Sequence, residues 1–156
     1  MITVEVKQTV FIDLPVEAVF AYISDLENLS DWSGVVISAR IISPGEMQPG
    51  TRVRNTIRFL NRWSDMIFEV IEYESNRVLT LKSINGIARC TIFYQLEPGE
   101  GGGTTVFQEA VVHYVEGTVE VAGSVAYNAI RRQFKYDLLT LKDILEAKAS
   151  MCEIVD

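Results

Sequence analysis

The sequence predicts an α+β domain built on one antiparallel sheet, and three observations carry that reading. Residues 3–12 alternate apolar and polar side chains and lead directly into a short amphipathic helix. Six further β-branched and aromatic segments follow between 35 and 114, parted by turn signals rather than helices. From about Thr118 or Ser124 the apolar spacing changes to threes and fours and keeps that period to 149.

In the first strand Val4, Val6, Gln8, Val10 and Ile12 share one face. The helix over 15–25 sets Val16, Val19, Phe20 and Ile23 at i, i+3, i+4 and i+7, a single apolar stripe. Pro15 suits its first position, where a missing N–H is no loss, and Glu17 sits at the positive end of the dipole. Residues 26–32 read as a second short helix or turn, and 35–42 as a second strand. Pro44-Gly45 and Pro49-Gly50 bracket a loop before the third strand, 50–59. Asn61-Arg62 marks a tight turn into 63–73, and Ser75-Asn76-Arg77 another into 78–83. Asn85-Gly86 is a strong hairpin signal leading into 88–97. The glycine-rich run 99–103 is a turn before the seventh strand, 104–114; it lacks the Lys-Ser/Thr and the following helix of a phosphate-binding loop. The last helix, of about 25 residues and roughly 37 Å, carries Tyr127, Ile130, Phe134, Leu138, Leu141 and Leu145 on its apolar stripe.

With 156 residues the chain fits one domain, assigned to 1–149, with 150–156 as a C-terminal tail. A formal net charge of −7 argues against a nucleic-acid surface, which needs clustered Lys and Arg. Arg52, Arg54 and Arg58 share one strand face and read as a solvated outer surface. Cys90 and Cys152 are expected as free thiols. The N-terminus lacks a basic and apolar leader pattern, and no apolar run approaches the roughly 18 residues that span a bilayer. A cytoplasmic protein without stable membrane insertion is the expectation.

Residues 15–25 with Asn28 and Trp32 carry a resemblance. Together with Gly50-Thr51-Arg52, with Glu72-Tyr73-Glu74-Ser75-Asn76-Arg77-Val78-Leu79 and with Leu96-Glu97-Pro98 before Gly103-Thr104, they resemble the START-like superfamily, also called SRPBCC or polyketide cyclase/dehydrase-like. Ser75-Asn76 departs from the Pro-rich turn often found there. The resemblance covers nearly the whole chain and implies a helix-grip (TBP-like) fold, in which a sheet of about seven strands wraps a long C-terminal helix. Two short helices then lie between strands one and two, and a cavity for an apolar ligand lies between sheet and helix. It implies no single chemistry, since cyclases, lipid and hormone binders, quinone-binding proteins and chaperone activators share the fold.

Strand parity nominates the residues facing that cavity. The face opposite the arginines carries Val53, Asn55, Ile57 and Phe59, and the sixth strand offers Ala88, Cys90, Ile92, Tyr94 and Leu96. In the seventh strand, Val106, Gln108, Ala110, Val112 and Tyr114 are preferred, because the other face would bury Glu109 and His113. For 63–74 the parity is open, Ile67 and Ile71 opposing Phe68 and Val70. The candidate ligand-binding set is Asn55, Ile57, Phe59, Ser83, Cys90, Ile92, Tyr94, Gln108, Ala110, Tyr114, Tyr127, Ile130 and Phe134, an apolar lining with sparse amide and hydroxyl points. Gly123 is expected to leave room at one end of the cavity.

No catalytic residue is nominated. His113, the only histidine, points outward by parity, and one histidine with two distant cysteines has no metal-ligand spacing, so neither metal nor cofactor is expected. Asp65 and Glu69 share a strand face and read as partly exposed acids on an edge. The favoured reading is a binder of a small hydrophobic or amphipathic molecule of lipid, polyketide or aromatic type. The alternatives are a cyclase or dehydratase acting on such a ligand, and a protein-interaction module; monomer and homodimer both stay open. An ionisable group with a displaced pKa inside the cavity would favour catalysis over binding.

Overall fold

The computed structural model describes residues 1–119 and 121–155, with side chains as far as Met151. The remaining residues, and with them the Cys152 thiol, lie outside the described part.

Seven strands form one sheet in the order β1-β7-β6-β5-β4-β3-β2, every neighbouring pair antiparallel. They are β1 (Ile2–Ile12), β2 (Val36–Ile41), β3 (Arg52–Phe59), β4 (Arg62–Glu74), β5 (Val78–Ser83), β6 (Ala88–Pro98) and β7 (Thr104–Tyr114). The short helices α1 (Val16–Ser24) and α2 (Leu29–Trp32) connect β1 to β2, joined by a 3₁₀ turn at Leu26–Asn28. Pro15 stands one position ahead of its expected place, as the N-cap, and its carbonyl accepts the Ala18 and Val19 N–H groups. The long helix α3 spans Gly123–Val155 and so continues beyond the expected end at 149. This is the helix-grip architecture.

The β3–β4 hairpin turns on Leu60 and Asn61, both at positive φ, one residue earlier than Asn61-Arg62; Arg62 already belongs to β4. Two central residues at positive φ give the turn the twist that an antiparallel pair requires. Gly86, at φ +106°, allows the β5–β6 turn to press on the sheet, since a Cβ there would stand 2.5 Å from Met66 Cγ.

On β3 the arginines face out and Val53 and Asn55 are buried, as parity expects. The open parity of β4 resolves to Met66, Phe68 and Val70 inside. An irregularity between Val70 and Glu72 then turns Tyr73 inward against Phe20, with ring centroids 5.7 Å apart. Such a slip is what one extra residue does to a strand. Asp65 and Glu69 are on the outer face, but β4 lies between β3 and β5 and is not an edge. Asp65 accepts the Thr56 hydroxyl at 2.8 Å, and Glu69 pairs with Arg52 at 3.0 Å.

The helix closes the inward face unevenly. Leu138, Leu141 and Leu145 of α3 are buried in one continuous core with Ile12, Val19, Phe20, Ile23, Leu26, Leu79, Leu96 and Val106. Each such side chain contributes about 1.5–3 kcal/mol by leaving water. Nearer the helix N-terminus the side chains turned toward the sheet are Ala126, Ile130, Phe134 and Asp137, and there the interior is hollow.

Candidate functional site

The hollow is a cavity of about 180 Å³ between the sheet, α2 and the N-terminal half of α3. Its wall is apolar over most of its area: Leu29 and Trp32 from α2, Ile57 and Phe59 from β3, Met66 and Phe68 from β4, Ile92 from β6, and Ile130 and Phe134 from α3. An enclosed apolar space of about 150 Å³ already takes up benzene, so this one has room for a small ring system or a short chain.

Three residues of the wall, Trp32, Asn55 and Tyr114, carry a buried polar atom (Nε1, Oδ1 and the hydroxyl) with no hydrogen-bond partner among the described residues. A donor, an acceptor and a group capable of both thus stand in an apolar enclosure, where an unmet polar group costs about 1–3 kcal/mol. The other polar points are tied up. Gln8 Nε2 donates to the Phe134 carbonyl at 2.8 Å and to Gln108 Oε1 at 2.6 Å; Gln108 Nε2 in turn donates to the Tyr94 hydroxyl at 3.2 Å. Tyr94 stands edge-on to Trp32, with centroids 6.2 Å apart. Burial raises its hydroxyl pKa, the Gln108 hydrogen bond opposes this, and the charge of Asp137 adds to the rise. The Cys90 thiol is pushed up to about 12 by burial, so it is a neutral wall group rather than a nucleophile.

Asp137 is the ionisable acid of the wall. It falls on the apolar stripe of α3, seven residues from Ile130 and three from Phe134, and is 6% exposed. Oδ1 accepts the Gly34 N–H at 2.9 Å and Gln133 Nε2 at 2.7 Å, while Oδ2 accepts the Ser33 hydroxyl at 3.1 Å. A side chain at Gly34 would displace the Gln133 amide, since a Cβ there would stand 2.4 Å from its Nε2. Burial raises the carboxyl pKa, and the three hydrogen bonds from Gly34, Gln133 and Ser33 hold part of that rise back. The group therefore clamps the α2–β2 connection to α3 and also faces the cavity.

Of the candidate residues, the structure brings Asn55, Ile57, Phe59, Cys90, Ile92, Tyr94, Gln108, Tyr114, Ile130 and Phe134 to the cavity wall. Ser83, Ala110 and Tyr127 are not in it. The Ser83 hydroxyl is spent inside the β5–β6 hairpin, accepting the Cys90 N–H at 2.8 Å and donating to the Ala88 carbonyl at 3.3 Å. Ala110 is fully buried on the correct face, but its single methyl does not reach the wall. Tyr127 lies under the Arg131 guanidinium, 5.9 Å from the ring centroid. Gly123 does not border the cavity either; its neighbours are Ile2 and Glu116.

Sequence reasoning missed Trp32, Ser33, Gly34, Gln133 and Asp137 as one unit. The available signal was a carboxylate on an apolar helical stripe, an uncommon position that asks for partners. His113 is on the outer face, where its Nδ1 shares a hydrogen bond of 2.8 Å with Thr3 Oγ1. Among the described residues no three His, Cys, Asp or Glu side chains converge on a metal-sized site, and no helix is long and apolar enough to cross a membrane.

Comparison with known proteins agrees with this geometry. The family model described as "Polyketide cyclase / dehydrase and lipid transport" matches residues 3–146. Among solved structures, a START superfamily protein from Mycobacterium smegmatis superposes with a TM-score of 0.76 at 14% identity, covering 92% of this chain and 97% of that one. The Zhui aromatase/cyclase from Streptomyces sp. R1128 gives 0.77 at 13% identity over 95% and 96% of the two chains. A protein of Thermus thermophilus gives 0.76 at 20% identity over 92% and 98%. A search of curated protein sequences finds no match. At these identities the structural likeness speaks for the fold, and the family match extends over nearly the whole chain. The chain thus belongs to the polyketide cyclase / dehydrase and lipid transport family and has the START-like fold.

Proposed function

We propose that the protein binds a small, mainly apolar molecule bearing a few hydrogen-bonding groups in the cavity between the sheet and α3, with residues 1–149 as the binding domain. The observation that carries this reading is the set of buried atoms without a partner among the described residues, Trp32 Nε1, Asn55 Oδ1 and the Tyr114 hydroxyl, on residues of a mainly apolar wall. Of the five such atoms among the described residues, the other two being the Tyr22 and Thr80 hydroxyls, three belong to residues of this one wall. A ligand with complementary polar atoms gains their hydrogen bonds while the apolar wall takes its body.

Trp32 supplies the probe. The chain has two tryptophans, and the second, Trp63, is 57% exposed on the outer face. In a Trp63→Phe protein the remaining emission reports the cavity, and titration with a neutral solvatochromic dye such as Nile red should saturate at about one site and shift that emission. Dye uptake that leaves Trp32 unchanged would remove the cavity from the account.

A second reading, a cyclase- or dehydratase-type enzyme in the same cavity, is supported by Asp137, whose raised pKa suits a proton acceptor in the wall. Under it, Asp137→Asn lowers turnover of an identified substrate by about a hundredfold or more while ligand affinity survives. Under simple binding, there is no turnover to lose.

A further inference from the structure

We infer that the cavity selects neutral or amine-bearing amphiphiles and excludes carboxylates, an inference that rests on the binding reading above and adds to it the charge of the ligand's polar end. Asp137 is the single carboxyl of the wall, and among the described residues no lysine, arginine or histidine joins it there. The cations of this part of α3, Arg131, Arg132 and Lys135, are all on its exposed side. Arg62, the guanidinium in contact with the wall residue Thr118, is outside the wall and donates to the Thr118 carbonyl at 3.1 Å.

The chemistry of the available groups points the same way. The three donors on Asp137 occupy three of the roughly four acceptor positions of a carboxylate, leaving one on Oδ2. Asn55 Oδ1 is another free acceptor. Hydroxyl and ammonium groups satisfy both kinds of site, and an ammonium gains the attraction of Asp137 as well. A ligand carboxylate offers no donor to either, meets a like charge in a medium of low dielectric, and finds only neutral donors, such as Trp32 Nε1, the Asn55 amide N–H and the Tyr114 hydroxyl, to replace its water.

The test uses the full chain and four C8 probes differing at one end: octanol, octylamine, methyl octanoate and octanoate. They are titrated near neutral pH by calorimetry and by displacement of Nile red. Octanol, octylamine and methyl octanoate should each bind at least about tenfold more tightly than octanoate. The ester shares the carbonyl of octanoate without its charge, so this contrast needs no mutant. Asp137→Asn should then narrow the gap between octylamine and octanoate by about tenfold, from both sides. Octanoate binding as well as its ester, or a gap untouched by Asp137→Asn, would overturn the charge rule while leaving the cavity a binding site. Failure of Nile red and of all four probes to saturate would overturn the binding reading itself, and the charge rule with it.

Discussion

Asn55 shows how a single side chain divides stability from recognition. Its amide oxygen is buried without a partner on the inward face of β3, so replacing it by leucine removes an unmet polar group while roughly keeping the volume. Asn55→Leu should raise the stability of the ligand-free protein by about 1 kcal/mol in denaturant unfolding, and weaken ligands that donate a hydrogen bond more than those that do not. A loss of stability of that size would mean the amide is matched in solution. Gln108 lies on the same inward face of the sheet and behaves differently. It is bonded to Gln8 and Tyr94, so Gln108→Leu strands two partners and acts chiefly on stability. Phe134 is only half-buried and borders the hollow. Phe134→Ala should therefore cost about 1–2.5 kcal/mol, below the 3–5 kcal/mol of a fully packed phenylalanine; a full-size loss in thermal or urea melts would show that the ring does not line a void.

At the scale of elements, α3 does more than close the core. Its basic side chains cap the outer edge of β1: Arg131 Nη1 donates to the Glu5 carbonyl at 2.7 Å, and Lys142 Nζ donates to the Phe11 carbonyl. Glu146 completes the seam by accepting the Asp13 N–H and the Lys142 ammonium, both at 2.9 Å. These contacts occupy carbonyls that an edge strand otherwise offers to another chain. The double substitution Arg131→Met, Lys142→Met should leave the fold intact, with a stability change of about 1 kcal/mol, but should speed self-association measured by light scattering. An unchanged aggregation rate would show that the β1 edge is protected by other means. The opposite edge, β2, is short and irregular between Val36 and Ser38, a different solution to the same hazard.

For the whole molecule, the buried acid writes itself into the pH dependence of stability. The folded pKa of Asp137 is raised above its ordinary value of 3.8, chiefly by burial. Between the two values the folded state holds a proton that the unfolded state has released. Stabilisation present below the ordinary value is then lost as pH rises through the folded one. Glu146 has the opposite sign: its pKa is lowered by the Lys142 and Asp13 hydrogen bonds, so its contribution is present above its ordinary value of 4.5 and fades as pH falls through the lowered one. Subtracting the stability curve of Asp137→Asn from that of the native chain isolates the first contribution. The difference should decline with rising pH above 3.8; a flat or rising difference would mean that the three hydrogen bonds match or outweigh burial.

The period changes along the chain were enough for seven strands, their turns and the terminal helix, because alternation and helical spacing are local properties of neighbouring residues. Parity likewise carried Asn55, Tyr94 and Gln108 to the inward face, since a strand without a bulge cannot change sides. Three things were settled only by the assembled fold. That Tyr73 turns inward at the end of β4 depended on an irregularity between Val70 and Glu72 that no alternation announces. Ser83, Ala110 and Tyr127 left the wall because facing inward does not make a side chain reach a cavity; reach depends on length and on which neighbour claims it. Asp137 became part of the site because Ser33 and Gly34, 104 and 103 residues away in sequence, meet it where α2 ends. Local pattern determines which way a chain segment faces, whereas the company a buried charge keeps is set by contacts between distant segments, and these exist only once the sheet has closed on its helix.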